Sequence, residues 1–393
     1  MNPLALIDLS PLAQVVLAGG LVSLLPLAWV WHRQRGRDGA SMLQALTLVT
    51  LFLTFDLLLF GAFTRLTDSG LGCPDWPGCY GSASPLGAAS DIHAAQTAMP
   101  TGPVTHGKAW IEMIHRYLAT GVGALIVVMT VASWMQRRQT KSSASPWWPT
   151  ATLLWVCLQG AFGALTVTMK LYPAIVTLHL LGGIALLALL AVQTEVGKTT
   201  SARVSLNLSR GLYVGTVCVL TLSVMQTVLG GWVSTNYAVL ACSDFPKCQG
   251  SWWPTMDFDH GFTVLRELGA GKDGGYLPFA ALTAIHMVHR VGAAVVFSAM
   301  ALLVWRLHVY STQSGQASTR RWAHVVTAVA VWQLVSGLSN VVLGWPLIAA
   351  VAHTGGAAAL ITLLTVMLTR ATQATVTQRA PQVMYAQRSH ATS

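Results

Sequence analysis

The chain has 393 residues, of which 53% are hydrophobic and only 9% charged, with a formal net charge of +10. Soluble domains carry about 25% charged residues, so most of this surface is not built to face water and a soluble globular fold is excluded. The positive charge raises nucleic acid as a partner, and its distribution along the chain decides against it.

About 20 apolar residues cross a bilayer. Nine stretches reach that length, at 12–31, 43–63, 109–134, 148–169, 172–196, 211–233, 279–305, 323–344 and 347–369. Helices are the expected form, because lipid offers no partners for bare backbone groups. The stretches are too long and too rich in Leu and Ala for outer-membrane strands. The first lacks a basic segment ahead of it, and Arg33, Arg35 and Arg37 follow it instead. It therefore reads as a retained anchor helix and not as a signal peptide.

With nine spans, the loops on one side carry fifteen basic residues: Arg33, Arg35 and Arg37; Arg137, Arg138 and Lys141; Lys198, Arg203 and Arg210; Arg306, Arg320 and Arg321; and Arg370, Arg379 and Arg388. The opposite side carries six: Arg65, Lys108, Lys170, Lys247, Arg266 and Lys272. This is the positive-inside pattern. It puts the N-terminus outside and the C-terminus in the cytoplasm, and it makes the basic charge a topology signal, with no nucleic acid implied.

A long-range repeat sets the architecture. Gly61, Cys73, Asp75, Pro77, Cys79 and Gly81 recur 169 positions later as Gly230, Cys242, Asp244, Pro246, Cys248 and Gly250. His115-Arg116, Gln159, Gly163, His179 and Gly182 recur at an offset of 174 as His289-Arg290, Gln333, Gly337, His353 and Gly356. The expected fold is an all-α polytopic membrane protein, with two pseudo-symmetric four-helix bundles plus one extra N-terminal transmembrane helix. The segments are 1–42 (extra helix and basic loop), 43–200 and 201–371 (the two halves), and 372–393 (a cytoplasmic tail). Each half has an even number of spans, so both have the same orientation and an axis along the membrane normal should relate them.

Ionisable residues inside a span are costly and point to function. His115 and His179 are 64 residues apart, as are His289 and His353. Each member of a pair lies roughly 10 Å below the outer surface at 1.5 Å per residue, so each pair can face across its bundle at one level. A lone histidine would read as a packed core residue bonded to a neighbouring helix; two equally spaced pairs read as ligands. Two imidazoles without a Cys or carboxylate cluster at their depth make a poor zinc site, and axial ligation of heme iron suits them better. Gly121, Gly123, Gly163, Gly182 and Gly183 would let a flat macrocycle approach, although small residues are also ordinary membrane packing. Arg116 and Arg290 read equally as partners of heme propionates and as snorkelling side chains.

The two halves are not equal. Glu112 stands three residues before His115, on the same helical face, and its counterpart is His286. A carboxyl group beside one heme only suggests chemistry in the first half and electron transfer in the second; the other reading of Glu112 is a structural hydrogen bond. Asp56 reads as a second buried acid or a partner of Arg65.

Cys73 and Cys79 lie in the first outer loop and Cys242 and Cys248 in the matching one, on the oxidising side. Their spacing is not that of a thioredoxin-like pair. A structural disulfide in each loop is the leading reading; a redox-active cysteine at the heme mouth, at Cys73 or Cys79, is the other. Cys157 and Cys218 fall in spans and read as packing residues.

The segments Thr64–Gly81 (with Cys73-Pro-Asp-Trp-Pro), Ile111–Ala119 (with Glu112-Met-Ile-His-Arg), Thr177–Leu180, Ile285–Ala293 and Ala352–Gly356 together resemble the heme A synthase family over about residues 43–371. The resemblance implies oxidation of the C8 methyl group of heme O to a formyl group, giving heme A for cytochrome oxidase. Dioxygen and external electrons are consumed, through hydroxylated intermediates. It implies His115 and His179 as ligands of the substrate heme with Glu112 as the acid, and His289 and His353 as ligands of a permanent heme b. It also implies supply of heme O by a prenyltransferase, heme O synthase, as a candidate contact, and an electron donor that the sequence does not identify. A homo-oligomer is compatible with the pattern. The span 12–31 exceeds the family's eight-helix core, and the second loop, Cys242-Ser-Asp-Phe-Pro-Lys-Cys248, is a looser version of the first. The competing function is a di-heme b electron-transfer protein with two permanent hemes, against which the Glu112/His286 difference weighs. A heme carrier without catalytic activity ranks third.

Overall fold

In a computed structural model of the protein, the described residues are 10–140, 145–198, 206–272 and 274–391, without the side chains of 140 and 375–391. Lys141 and Arg203, counted above in the cytoplasmic charge, lie outside them, as do the side chains of Arg379 and Arg388.

Helix α1 (Ser10–Arg33) is followed by α2 (Gly39–Leu66), whose first turn is capped by the Asp38 carboxylate accepting the Ser41 N–H at 3.1 Å. Such a cap satisfies a donor that the helix itself leaves free. The short α3 (Ala89–Ala98) lies in the loop between α2 and the next long helix, and α4 (His106–Thr140), α5 (Trp147–Thr168) and α6 (Pro173–Val196) complete the first half. Pro173 opens α6 at a position where its missing N–H has no bond to lose. The second half comprises α7 (Arg210–Thr235), a one-turn 3-10 helix (Ala238–Ala241), the short α8 (Phe258–Gly261), α9 (Phe279–Ser314), α10 (Ala317–Val342) and α11 (Leu347–Ala391). No strand occurs among the described residues, only isolated bridges. The expected tail from 372 on continues α11 as helix to Ala391.

Nine of these helices are long and apolar enough to cross a membrane, and they coincide with the nine expected spans. Only 17% to 39% of each span's most apolar stretch is buried in protein. The remainder, including Leu25, Leu154 and Ile348, needs hydrocarbon around it.

Packing follows the repeat. α2, α4, α5 and α6 contact one another in ring order, and so do α7, α9, α10 and α11. Val122, Ile126, Met129, Leu186 and Leu190 belong to the core of the first half. Their counterparts 174 positions on, Val296, Met300, Leu303, Leu360 and Leu364, belong to the core of the second. The cluster where the halves meet joins Ile184 and Leu187 with Ala358 and Ile361, again residues 174 apart, and is flanked by Leu51 and Leu220, 169 apart. Outside this frame α1 packs along α4, where a side chain at Gly19 would strike Thr120 and Gly121.

Candidate functional site

Each of the four histidines lies against a glycine on the neighbouring helix. A Cβ at Gly61 of α2 would stand 3.0 Å from Nε2 of His115 on α4, and one at Gly163 of α5 would stand 3.4 Å from Cε1 of His179 on α6. In the second half a Cβ at Gly230 of α7 would stand 3.1 Å from Cε1 of His289 on α9, and one at Gly337 of α10 2.9 Å from Cε1 of His353 on α11. Gly61 and Gly230 are counterparts, as are Gly163 and Gly337. The repeated glycines therefore make room for imidazole rings. All four histidines are half-buried. Within each pair the rings are electrostatic neighbours, His179 acting on His115 and His353 on His289.

The donor set fits heme better than a bare metal ion. Among the described residues no group of three or more His, Cys, Asp or Glu could hold a metal. Two imidazoles, each seated against a glycine of the neighbouring helix, suit a planar macrocycle, because it brings four equatorial ligands of its own. Of the glycines expected to admit the macrocycle, Gly163 faces the His179 ring, whereas Gly121 touches α1 at the Gly19 carbonyl and Gly182 abuts the Gln159 side chain. Their small size serves helix packing.

The two pairs are held differently. Nδ1 of His353 lies 3.0 Å from Oγ of Ser336, which itself donates to the Trp332 carbonyl at 2.7 Å. Nδ1 of His289 lies 3.0 Å from the Gln226 amide. Nδ1 of His179 is buried without a hydrogen-bond partner, and the ring of His115 stacks on Phe60 at 6.3 Å between centroids. Sequence reasoning missed Ser336 and Gln226, because neither recurs in the other half.

Glu112 is buried one turn toward the outer loop from His115. Its Oε2 accepts the Cys73 N–H at 2.8 Å and its Oε1 accepts from Nη2 of Arg116 at 2.5 Å. Arg116 also donates to the carbonyls of Asp75, Pro77 and Gly78 at 3.0, 3.1 and 2.5 Å. Arg290 acts likewise on the carbonyls of Cys242 and Lys247, at 2.8 and 2.9 Å, and on Nε2 of its neighbour His286 at 3.3 Å. Both arginines thus tie the cysteine loops to the histidine helices, a role that neither the propionate nor the snorkelling reading included.

Those loops share one construction. Cys73 is joined to Cys79 and Cys242 to Cys248, with Cα–Cα distances of 4.9 and 4.7 Å. The Asp75 carboxylate accepts the N–H groups of Tyr80 and Gly81 at 2.6 and 2.7 Å; the Asp244 carboxylate accepts those of Gln249 and Gly250 at 2.7 and 3.0 Å. Gly81 and Gly250 take φ of +71° and +74°, the left-handed region that glycine enters without penalty. The repeated Asp and Gly are explained by these bonds.

Two expectations need correction. Asp56 is exposed on α2, and Arg65 pairs with Asp68 at 3.2 Å; one helical turn separates Arg65 from Asp68, whereas Asp56 is nine residues away. Cys157 and Cys218 are exposed, so neither is a buried packing residue of its bundle.

The profile of the cytochrome oxidase assembly protein family matches residues 44–365. A heme A synthase of Shewanella oneidensis is 38% identical over 322 residues, covering 81% of this chain and 93% of that protein. The chain belongs to the heme A synthase family. Heme A synthases of Halalkalibacterium halodurans and Alkalihalophilus pseudofirmus are each 27% identical, over 76% and 72% of this chain and 86% and 82% of theirs. As a member of the heme A synthase family, the chain is an oxidoreductase. The family match spans both four-helix halves and all four histidines, while α1 lies before it.

Proposed function

We propose that this protein is a heme A synthase, which oxidises the C8 methyl group of heme O to the formyl group of heme A using dioxygen and external electrons, for cytochrome oxidase. The observation that carries the reading is the unequal pair of repeat-related histidine sites, of which only one has a carboxyl group within a helical turn. The segment 43–200 is the substrate half, with His115 and His179 as ligands of heme O. The segment 201–371 is the electron-transfer half, with His289 and His353 as ligands of heme b, which when bound supplies one-electron transfer. Residues 1–42 add a helix with its basic loop, and 372–393 form a cytoplasmic tail.

Glu112 handles protons. A proton arriving at Oε2 displaces the Cys73 N–H, and Arg116 at Oε1 restores the anion when the proton leaves. Positioned acid–base groups of this kind contribute about 10²–10⁴-fold. The contacts between counterparts at the junction support an axis along the membrane normal relating the halves. The basic-residue bias supports an N-terminus outside, a cytoplasmic C-terminus and cysteine loops on the outer face of a bacterial inner membrane. Heme O would then reach the first half within the bilayer, from the prenyltransferase that makes it, and electrons would come from a separate donor through the second.

The test is pigment extraction from the purified full-length protein, with and without co-expressed heme O synthase. Heme O or heme A beside one equivalent of heme b is the expected result. Two equivalents of heme b and no heme A would overturn the assignment in favour of a di-heme cytochrome.

A further inference from the structure

The hydrogen bonds behind the histidines divide the halves more sharply than Glu112 does. In the second half both ligand rings are held through Nδ1, by Ser336 for His353 and by Gln226 for His289. The carbonyl of Gln333 faces the His353 ring as well. The positions corresponding to Ser336 and Gln226 are Phe162 and Leu57, which offer no hydrogen-bonding atom. Nδ1 of His179 is accordingly buried with no partner, a state that is costly for a polar group. His115 has an aromatic ring stacked against it in place of a hydrogen bond.

When Nε2 of a histidine binds iron, its hydrogen resides on Nδ1 and needs an acceptor. An acceptor there fixes the tautomer and ring plane and raises the basicity of the ligand. Ser336 is arranged for this: its own hydrogen is spent on the Trp332 carbonyl, leaving Oγ lone pairs toward Nδ1. At Gln226, Nε2 is the near atom and also donates to the His289 carbonyl at 2.9 Å, while Oε1 is buried without a partner. A half-turn of the amide brings that oxygen to the Nδ1 hydrogen of a ligating His289, giving up the bond from Nε2 to the His289 carbonyl in exchange.

We propose that Ser336 and Gln226 are positioning residues that lock His353 and His289 onto a resident heme, and that Phe162 and Leu57 leave His179 and His115 free to release one heme and take another. The inference rests on the two-heme reading above and deepens it: one half retains a cofactor, and the other must exchange a substrate for a product of almost the same shape. Exchange is served by ligand rings that are sterically placed but not oriented by a second bond.

The experiment compares wild type, Ser336→Ala/Gln226→Leu, Ser336→Thr and Phe162→Ser, each as full-length protein in detergent. The readouts are the midpoint potential of the low-spin heme, its electron paramagnetic resonance signal, and the rate of heme transfer to apomyoglobin. In Ser336→Ala/Gln226→Leu the second-half heme should remain low-spin, with a higher potential because a less basic ligand favours ferric iron less. Its resonance should broaden and its transfer should be about 10- to 100-fold faster, the range typical of lost outer-shell partners. Ser336→Thr keeps the hydroxyl and should match wild type. Phe162→Ser should slow transfer from the first half while leaving the second-half potential unchanged. Unchanged potential, resonance and transfer rate in the double variant overturn the proposal while the heme assignment stands. A wild type without low-spin heme, or one whose signal survives in His353→Ala, overturns the heme assignment and the proposal with it.

Discussion

Nη2 of Arg65 donates a 2.6 Å hydrogen bond to the backbone carbonyl of Ser234, and Ser234 occupies Arg65's own place in the second half, 169 positions on. The same holds one turn further: Tyr237 donates from its hydroxyl to Asp68 at 2.6 Å, again across 169 positions. Arg65 also lies 4.2 Å from the centre of the Tyr237 ring. Counterparts touch only near the axis that relates two copies. At the opposite ends of the helices Arg370 forms a two-point ion pair with Glu195, at 2.8 and 2.9 Å, and the residue beside it, Thr369, is the counterpart of Glu195.

Arg65→Ala is therefore expected to loosen the outer junction of the two halves and not either histidine pair. Loss of a hydrogen bond from a charged group should cost about 1.5–3 kcal/mol. Thermal unfolding in detergent should show a lower midpoint with an unchanged heme spectrum at 20 °C. A spectrum that changes while the midpoint does not would mean that Arg65 serves a heme and not the junction.

The glycine at each ring gives a second, narrower prediction. Gly337→Ala places a methyl group 2.9 Å from Cε1 of His353 and should displace the ring, at a cost typical of overpacking, about 1–3 kcal/mol. The low-spin heme band should shrink or shift. Gly160→Ala adds the same methyl group where no other atom lies within 4 Å, and should be neutral or stabilising by up to ~1 kcal/mol. Equal spectra for the two variants would refute the idea that Gly337 is there for the ring.

Much of this was legible in the sequence because the bilayer imposes a simple rule on span length and because the chain writes its pattern twice. Each half annotates the other, so His115 and His179 stand out only beside His289 and His353. Among unrepeated residues, Glu112 was visible only because it adjoins a repeated histidine. Ser336 and Gln226 are unremarkable polar residues on helices until their neighbours are known, and their meaning lies in having no counterpart. Asp56 misled because a carboxylate within a span is expected to be buried, whereas helix phase puts it on the outer face of α2 with Phe52 and Leu48. The arginines beside the histidines misled differently: their partners are backbone carbonyls of loops some 40 residues away, and carbonyls leave no trace in a residue pattern.

The outer loops yield a stability prediction. Closing a ring of this size in the unfolded chain is worth about 2–3 kcal/mol in the chain-entropy model, so Cys242→Ala should destabilise the fold by that amount, read as a lower unfolding midpoint, while leaving heme A production near the wild-type rate. Non-reducing mass spectrometry of the wild type should recover a peptide linking Cys242 to Cys248. Free thiols at both positions, in protein isolated under oxidising conditions, would refute the pairing.

The same loop should respond to acid. The N–H of Gly250, and less strongly that of Gln249, holds the Asp244 carboxyl below its ordinary value of 3.8, outweighing the opposing effect of desolvation. A carboxyl whose folded value is depressed stabilises the fold above the unfolded value and loses that contribution as pH falls through the folded one. Amide-exchange protection at Gly250 should thus hold at pH 5–7 and decline below about pH 4. In Asp244→Asn it should be low and flat across the range. Protection that is equally strong at pH 3 would mean that the carboxylate does not hold the turn.

Glu112→Gln separates chemistry from architecture in the first half. The amide keeps the size of the side chain, and its oxygen can still accept from either Arg116 or the Cys73 N–H, which Glu112 now bonds at 2.5 and 2.8 Å. The loop should therefore stay docked on α4, and the heme b proposed for His289 and His353 in the other half should be unaffected. What the amide cannot do is take up and release a proton at Oε2. If Glu112 relays protons during dioxygen activation, or during dehydration of the doubly hydroxylated carbon to the aldehyde, conversion of heme O should fall by about 10²–10⁴-fold. Heme O or its alcohol should accumulate in the extracted pigment. Glu112→Ala, which also frees the Cys73 N–H and Arg116, should add a lower unfolding midpoint to the same loss of product. Heme A formed by Glu112→Gln at the wild-type rate would assign the residue to holding the loop alone.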